Sequence, residues 1–454
     1  MIPNRALPPS WSWVSFKEVA TVASNLVDPV KYQDLPHIAP NHIESRTGRL
    51  LPYATVAEDG VTSAKHLFHC GQILYSKIRP YLAKAIEAPF EGLCSADMYP
   101  IDTVLVPRFL LYWLLTSEFT HLASQVQGRT VLPKINRDQL DALPVPVAPP
   151  NEQQRIVGSI EEQFSRLDTG VLTTQHARQN LKRMRAAVLE SAVRGRLFKN
   201  PSGTFNPVGH RRELELPTGW SITSVGDIAE VSGGITKNPK RRPANNPIPF
   251  LRVANVLRDQ LDLREVHNIE VFAGELERLR LQRGDLLVVE GNGSSDQIGR
   301  SALWDASIDP CVHQNHVIRI RPGNTILAEY LNIFWNAPSS MATIQAAASS
   351  TSGLHTLSTG KVRRIRVTLP PVPEQHRIIE DVDRQLSALN ALDQQVAIAE
   401  MRERTLRAAI LAAAFAGNLV SQDLSDEPAS HLLERITAER APSNGHRPTA
   451  NRKT

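Results

Sequence analysis

Cysteine is scarce in this chain. Its three cysteines, Cys70, Cys94 and Cys311, lie far apart and form no C-x-x-C. Neither a disulfide framework nor a cysteine zinc site is available from them, and a reducing compartment is expected. Long apolar runs are also missing: none approaches the ~20 residues needed to span a bilayer. The first residues, MIPNRALPPSW, contain no apolar core of a signal peptide. A cytoplasmic protein with no membrane partner is expected.

Catalytic constellations are missing as well. Gly353-Leu-His-Thr-Leu-Ser-Thr-Gly360-Lys361 has too many residues between its glycines for a phosphate loop, and Val362 stands where Ser or Thr is required. Asn246-Pro-Ile-Pro-Phe250 approaches the NPPF-type loop of adenine methyltransferases, but an isoleucine interrupts it. Gly291-Asn-Gly293-Ser-Ser lacks the third glycine of a dinucleotide loop. Cys311, His313 and His316 are close in sequence without a second liganding cluster, and the carboxylates are scattered. Intrinsic catalysis and a bound metal are therefore not expected.

What the chain does have is a repeat. Residues 152–197 and 374–419 align over 46 positions at a constant offset of 222, with 15 identities. Glu152-Gln-Gln-Arg-Ile156 matches Glu374-Gln-His-Arg-Ile378, and Arg185–Leu197 matches Arg407–Leu419. The duplication reaches further. Leu7-Pro8…Trp11-Ser12 matches Leu216-Pro217…Trp220-Ser221, and Gly71-Gln72-Ile73-Leu74 matches Gly284-Asp285-Leu286-Leu287. Each half is thus a globule of about 150 residues followed by a helical segment, and two-fold proteins commonly read two half-sites on a duplex.

Short apolar runs at Gln72–Tyr75, Leu286–Val289 and Val317–Ile320 are bounded by turn formers, as strands are. Arg108–Leu115 and Glu329–Phe334 read as short apolar helices. Leu143–Pro150 and Val367–Pro373 are proline-rich and read as stiff extended connectors. Asn151 is a plausible cap and Pro373 a plausible first helical residue for the long helices that follow. Apolar stripes such as Ile156, Ile160, Phe164 and Ile378, Val382, Leu386 run along them, and Gly195 and Gly417 stand where helices end. The two stripes are expected to pack as an antiparallel pair. The fold class expected is α+β: two globular α/β domains separated by two long antiparallel helices. In chain order the divisions are 1–148, 149–197, 198–370, 371–420 and a tail at 421–454. One short helix is expected in the tail at Ala429–Arg440, with disorder over the last 14 residues.

The net charge of +5 suits a polyanion partner, and clustering sharpens it. Lys237, Lys240, Arg241 and Arg242 fall within six residues, and seven cations lie between Arg178 and Lys199. Such clusters serve either as solvated faces or as phosphate-binding ones. Ser76–Lys84 in the first half corresponds to Glu290–Arg300 in the second: a shared frame with different side chains, either an ordinary turn or a pair of readers with different targets. Candidate contacts to duplex DNA are Lys77, Arg79, Tyr81, Lys84, Arg129 and Lys134 in the first half. In the second they are Lys237, Lys240, Arg241, Arg242, Asn292, Ser294, Ser295, Gln297 and Arg300. Arg and Lys reach phosphates and guanine edges, Asn and Gln pair with adenine, and Ser contacts either.

The doubled LP..W, the Gly-Gln/Asp-Ile/Leu-Leu strand start, the proline run into Glu-Gln-x-x-Ile, and the R-A-A-[VI]-L…G-x-L ending resemble one family. It is the specificity (S) subunit of type I restriction–modification systems, the HsdS family, over residues 1–420. The resemblance implies that the globules are target recognition domains, each reading one part of a split double-stranded DNA site. It implies that the helices space them and dock two methyltransferase subunits, with restriction subunits joining the full complex. It implies no catalytic residue and no cofactor in this chain, with S-adenosylmethionine, ATP and Mg2+ belonging to the partner subunits. The alternatives are a methyltransferase or nuclease with degenerate motifs, and a coiled-coil scaffold.

Overall fold

The computed structural model describes residues 5–125, 133–197, 216–291, 297–348 and 356–440. They form two compact units: Met1–Thr174 with Ile398–Thr454, and Gln175–Ala397. Two helices of 44 residues each, Pro150–Val193 and Val372–Phe415, contribute one part to each unit. No described helix is long and apolar enough to cross a membrane.

In the first unit a four-stranded antiparallel sheet runs in the order Ala20–Val22, Met98–Thr103, Ile73–Ser76, Ala85–Glu87. A five-stranded sheet holds one parallel pair, Pro36–Ile38 with Gly92–Cys94. The second unit repeats the plan. Its four-stranded sheet is ordered Ala229–Ser232, Val317–Pro322, Leu286–Val289, Ser301–Leu303, and its parallel pair is Pro247–Leu251 with Val312–His313. Apart from these parallel pairs the ladders are antiparallel, so the globules are α+β rather than α/β.

Each proline-rich stretch holds a strand and is not a free connector. Pro144–Val147 pairs antiparallel with Ser12–Ser15, and Arg366–Leu369 pairs with Ser221–Ser224. Successive N–H groups of a strand point to opposite sides. Prolines at 144 and 146 therefore leave the donors of Val145 and Val147 to face the partner strand. The first long helix begins at Pro150, which places Asn151 inside its first turn instead of at the cap.

Each unit builds its core from distant parts of the chain. In the first, Ile156, Ile160 and Phe164 from the start of one long helix meet Leu411, Ala414 and Phe415 from the end of the other, around Phe109 and Trp113. The Phe415 ring lies 5.1 Å from Phe109 and 5.3 Å from Trp113. In the second, Ala192 and Val193 meet Ile378 and Val382 around Tyr330 and Trp335. The stripes expected only to pair with each other thus serve the globules at their ends as well. The tail helix Ala429–Arg440 is where it was expected. Its Ala429, Leu432, Leu433 and Ile436 face the first unit, at helical spacing. Arg155 pairs with Asp426 at 2.6 Å just ahead of it. The final 14 residues lie outside the described chain.

Candidate nucleic-acid interface

Ser76–Lys84 joins the strands Ile73–Ser76 and Ala85–Glu87, and 290–300 joins the equivalent strands Leu286–Val289 and Ser301–Leu303. The two segments therefore occupy the same position in the two sheets. In the first, Arg79 is exposed and Tyr81 is 44% exposed. Their neighbours are engaged within the protein. Lys77 lies 5.4 Å from the Tyr99 ring, Lys84 donates to the Pro40 carbonyl at 2.6 Å, and Lys134 pairs with Asp97 at 3.7 Å. Burial lowers the pKa of Lys84, with Arg79 adding to the effect. A bridge between Ile78 and Lys134 brings Lys134 beside this turn.

In the second unit Gln297 and Arg300 sit on the equivalent loop. Arg300 donates to Gln297 Oε1 at 3.0 Å and to the Val253 carbonyl at 2.7 Å, so its guanidinium faces the protein. Burial lowers its pKa. Lys237, Lys240, Arg241 and Arg242 are on a separate segment around the turn Pro239–Arg241. Arg241 differs from the others: its two terminal nitrogens donate to both carboxylate oxygens of Glu275, at 2.9 and 2.7 Å, and its guanidinium lies 4.5 Å from the Phe272 ring. That fork holds the Glu275 carboxyl at about 2. Lys237, Lys240 and Arg242 are exposed and have no ion-pair partner among the described residues. Arg129, Asn292, Ser294 and Ser295 lie outside the described residues.

Near-motif residues within the described chain are engaged structurally. Glu270 accepts from the backbone N–H groups of Ala244, Asn245 and Asn246 at 2.8, 3.1 and 2.8 Å, and the Asn246 amide donates to the Val271 carbonyl at 3.0 Å. The Asn246-Pro-Ile-Pro-Phe250 segment is therefore a turn leading into a strand. Lys361 donates to the carbonyls of Ala348 and Thr356 at 3.2 and 3.0 Å. His313 is fully buried and bonded through Nδ1 to the Val317 carbonyl at 2.6 Å, and burial holds it down at about 4. Among the described residues no group of three or more His, Cys, Asp or Glu could hold a metal.

Residues 217–399 match the model of the type I restriction modification DNA specificity domain. The EcoDI type I specificity subunit of Escherichia coli is 48% identical over 192 residues, 42% of this chain and 43% of that protein. The EcoKI specificity subunit of E. coli K12 is 29% identical over 372 residues, 79% of this chain and 77% of that protein. Over these spans the chain is similar to type I specificity subunits. Less than half the length of the EcoDI subunit is matched, against about three quarters of the EcoKI subunit. A chain from a structure of type I R-M complex assembly and conformational transition shares the fold, with a TM-score of 0.67 at 19% identity over 91% of this chain and 99% of that one.

The repeated residues are the frame of this chain. Gln153 and Gln375, both buried, tie the first turn of each long helix to its globule. Gln153 accepts from Val106 N at 3.0 Å and donates to the Ala148 carbonyl at 2.8 Å. Gln375 accepts from Leu327 N at 2.8 Å and donates to the carbonyls of Thr325 and Pro370, both at 2.9 Å. The helix-ending glycines meet the LP..W prolines. A Cβ on Gly417 would stand 2.3 Å from Pro8 Cγ, and one on Gly195 would stand 2.2 Å from Pro217 Cγ. In the first unit Arg407 of the second helix pairs with Asp168 of the first; in the second unit Arg185 of the first helix pairs with Asp393 of the second, at 4.0 Å. Arg185 and Arg407 are equivalent in the repeat, and the two pairings run in opposite senses along the chain, as antiparallel helices require. Sequence inspection missed Asp168 and Asp393, which align with Asn390 and Val171 and so carry no repeat signal, and it saw the glutamine tethers only as repeated residues, not as contacts.

Proposed function

We propose that this protein is the DNA-recognition subunit of a type I restriction–modification complex, in which each globule reads one half of a bipartite duplex site. The observation that carries this is the shared sheet bearing different loops at the same inter-strand position: exposed Arg79 and Tyr81 on one, and on the other Gln297, with Arg300 turned onto the protein. A common frame fixes where a reader sits, and its side chains decide what it reads. The exposed cations Lys237, Lys240 and Arg242 supply sequence-independent affinity for phosphates. The chain itself does no bond chemistry: methyl transfer from S-adenosylmethionine and ATP- and Mg2+-dependent cleavage belong to methyltransferase and restriction subunits in the cytoplasm.

Two methyltransferase subunits dock on the long helices. The equivalent residues Met184 and Leu406, 52% and 50% exposed, place one apolar contact on the described helix surface of each unit. Exposed apolar side chains repeated by a pseudo-two-fold suit two copies of one partner. Methylome sequencing of a strain with and without this gene tests the function. Loss of one methylated bipartite motif is expected. An unchanged methylome in a strain whose methyltransferase subunits are expressed would contradict it.

A further inference from the structure

We infer that the turn from Arg79 to Ala83 is the base-reading element of the first globule, with Arg79 and Tyr81 as the residues that discriminate base pairs; this rests on the DNA-recognition reading above. The backbone here is unusual. Arg79 and Ala83 adopt left-handed conformations, with φ of 49° and 45°, on either side of the single turn Pro80–Leu82. Neither is glycine, so each pays the clash between its Cβ and the carbonyl oxygen that disfavours this region for L residues. Arg46, with φ of 65°, is a third, and it braces the turn: its N–H donates to the Ala83 carbonyl at 3.1 Å and its guanidinium to the Tyr81 carbonyl at 3.0 Å. Further ties come from Arg79 N to the Pro133 carbonyl at 2.8 Å and from Ser76 Oγ to the Ile78 carbonyl at 3.0 Å. Pro80 and Ala83 are buried beneath.

The main chain of the turn is thus over-determined, and two side chains are left out of it. Arg79 is exposed and has no side-chain partner among the described residues, whereas Lys77, Lys84 and Lys134 are engaged by Tyr99, Pro40 and Asp97. Three strained residues in one place point to a site where orientation matters more than backbone ease. A guanidinium on a braced turn can meet guanine O6 and N7 together in the major groove, and an exposed aromatic ring on the same turn adds contact area. A turn made only for connection would use glycine at these φ values.

The test uses the specificity subunit in complex with its methyltransferase subunits. Affinities are measured for the cognate duplex and for duplexes changed one base pair at a time across both half-sites. Arg79→Gly removes the side chain and the backbone strain together, so it should hold or raise the melting temperature. It should nevertheless lower discrimination about tenfold or more at one or two adjacent positions of a single half-site. Tyr81→Ala should lower discrimination in the same half-site, and the other half-site should be read as before. A wild-type complex with no preference for any bipartite duplex would remove the DNA-recognition reading itself. A wild-type preference kept within about twofold by both variants, or weakened equally in both halves, overturns the assignment of this turn.

Discussion

At Gly417 a missing Cβ lets the second long helix end against Pro8. The residue has φ of 74°, and an added methyl would stand 2.3 Å from the proline ring. Gly417→Ala combines left-handed strain with overpacking and should cost about 2 kcal/mol or more. Gly170→Ala, at a helical position with nothing within 4 Å of the new methyl, should be neutral or stabilising by up to about 1 kcal/mol. Denaturant unfolding of the two variants checks both, and equal stabilities would contradict the account. Arg241 is a second residue whose role the structure changes. Read as one of four clustered cations, it is instead forked onto Glu275. Replacing Lys240 and Arg242 by Ala should lower the salt dependence of DNA binding by up to about 2 in slope, and adding Arg241→Ala should lower it little further. An unchanged slope in the double variant would mean that these cations are merely solvated. The same pair gives a pH dependence. Glu275 sits at about 2 when folded, against roughly 4.3 when unfolded. Its folded-state pKa is lowered, so its contribution to stability is complete above about pH 5 and is lost as pH falls toward 2. Melting measured between about pH 6 and pH 3 should fall more for the wild type than for Glu275→Gln. Identical pH dependence would rule the pair out as a source of stability.

At the scale of elements, much was legible and the reasons for the rest are physical. The strands Leu286–Val289 and Val317–Pro322, the helix Ala328–Asn336 and the tail helix Ala429–Arg440 follow from apolar patterning bounded by turn residues. The proline-rich segments did not read as strands: in Pro144–Val147 alternate spacing lets the ladder survive, and the strand Arg366–Leu369 ends before Pro370. The ends of the long helices were legible from Gly195 and Gly417, but their packing into the cores of the globules was not. Ile156 and Phe415 lie more than 250 residues apart in sequence and meet only once the fold is complete. The candidate site was legible as a segment and not as a geometry. Nothing in Ser76–Lys84 announces that Lys84 is engaged by Pro40 while Arg79 stays exposed. The helices carry a prediction of their own. Inserting four residues after Thr173 lengthens the first helix by roughly 6 Å and rotates its apolar stripe only slightly. If the helices set the gap between half-sites, methylome sequencing of the insertion variant should show that gap grown by one or two base pairs, with both half-sites unchanged. An active variant with the original gap would assign the spacing elsewhere.

For the whole molecule, covalent order and compact units differ. In chain order the globules and helices alternate. In contacts, Met1–Thr174 closes with Ile398–Thr454, and Gln175–Ala397 forms the other unit. Each globule is therefore completed by the end of the helix that follows the other one: Leu411 and Phe415 for the first, Ala192 and Val193 for the second. The N-terminal LPPSW and the helix end at Gly417 are two faces of one contact, and LPTGW with Gly195 is its counterpart. If each globule reads DNA as proposed, that pseudo-symmetry should make the globules exchangeable, provided the frame residues Pro8, Trp11 and Phe109 are retained. Exchanging residues 1–142 for the equivalent domain of a relative, followed by methylome sequencing with the methyltransferase subunits present, tests most directly that each globule reads its own half-site. One half of the methylated motif should change while the other half stays as it was. A motif altered in both halves, or in neither, would contradict it.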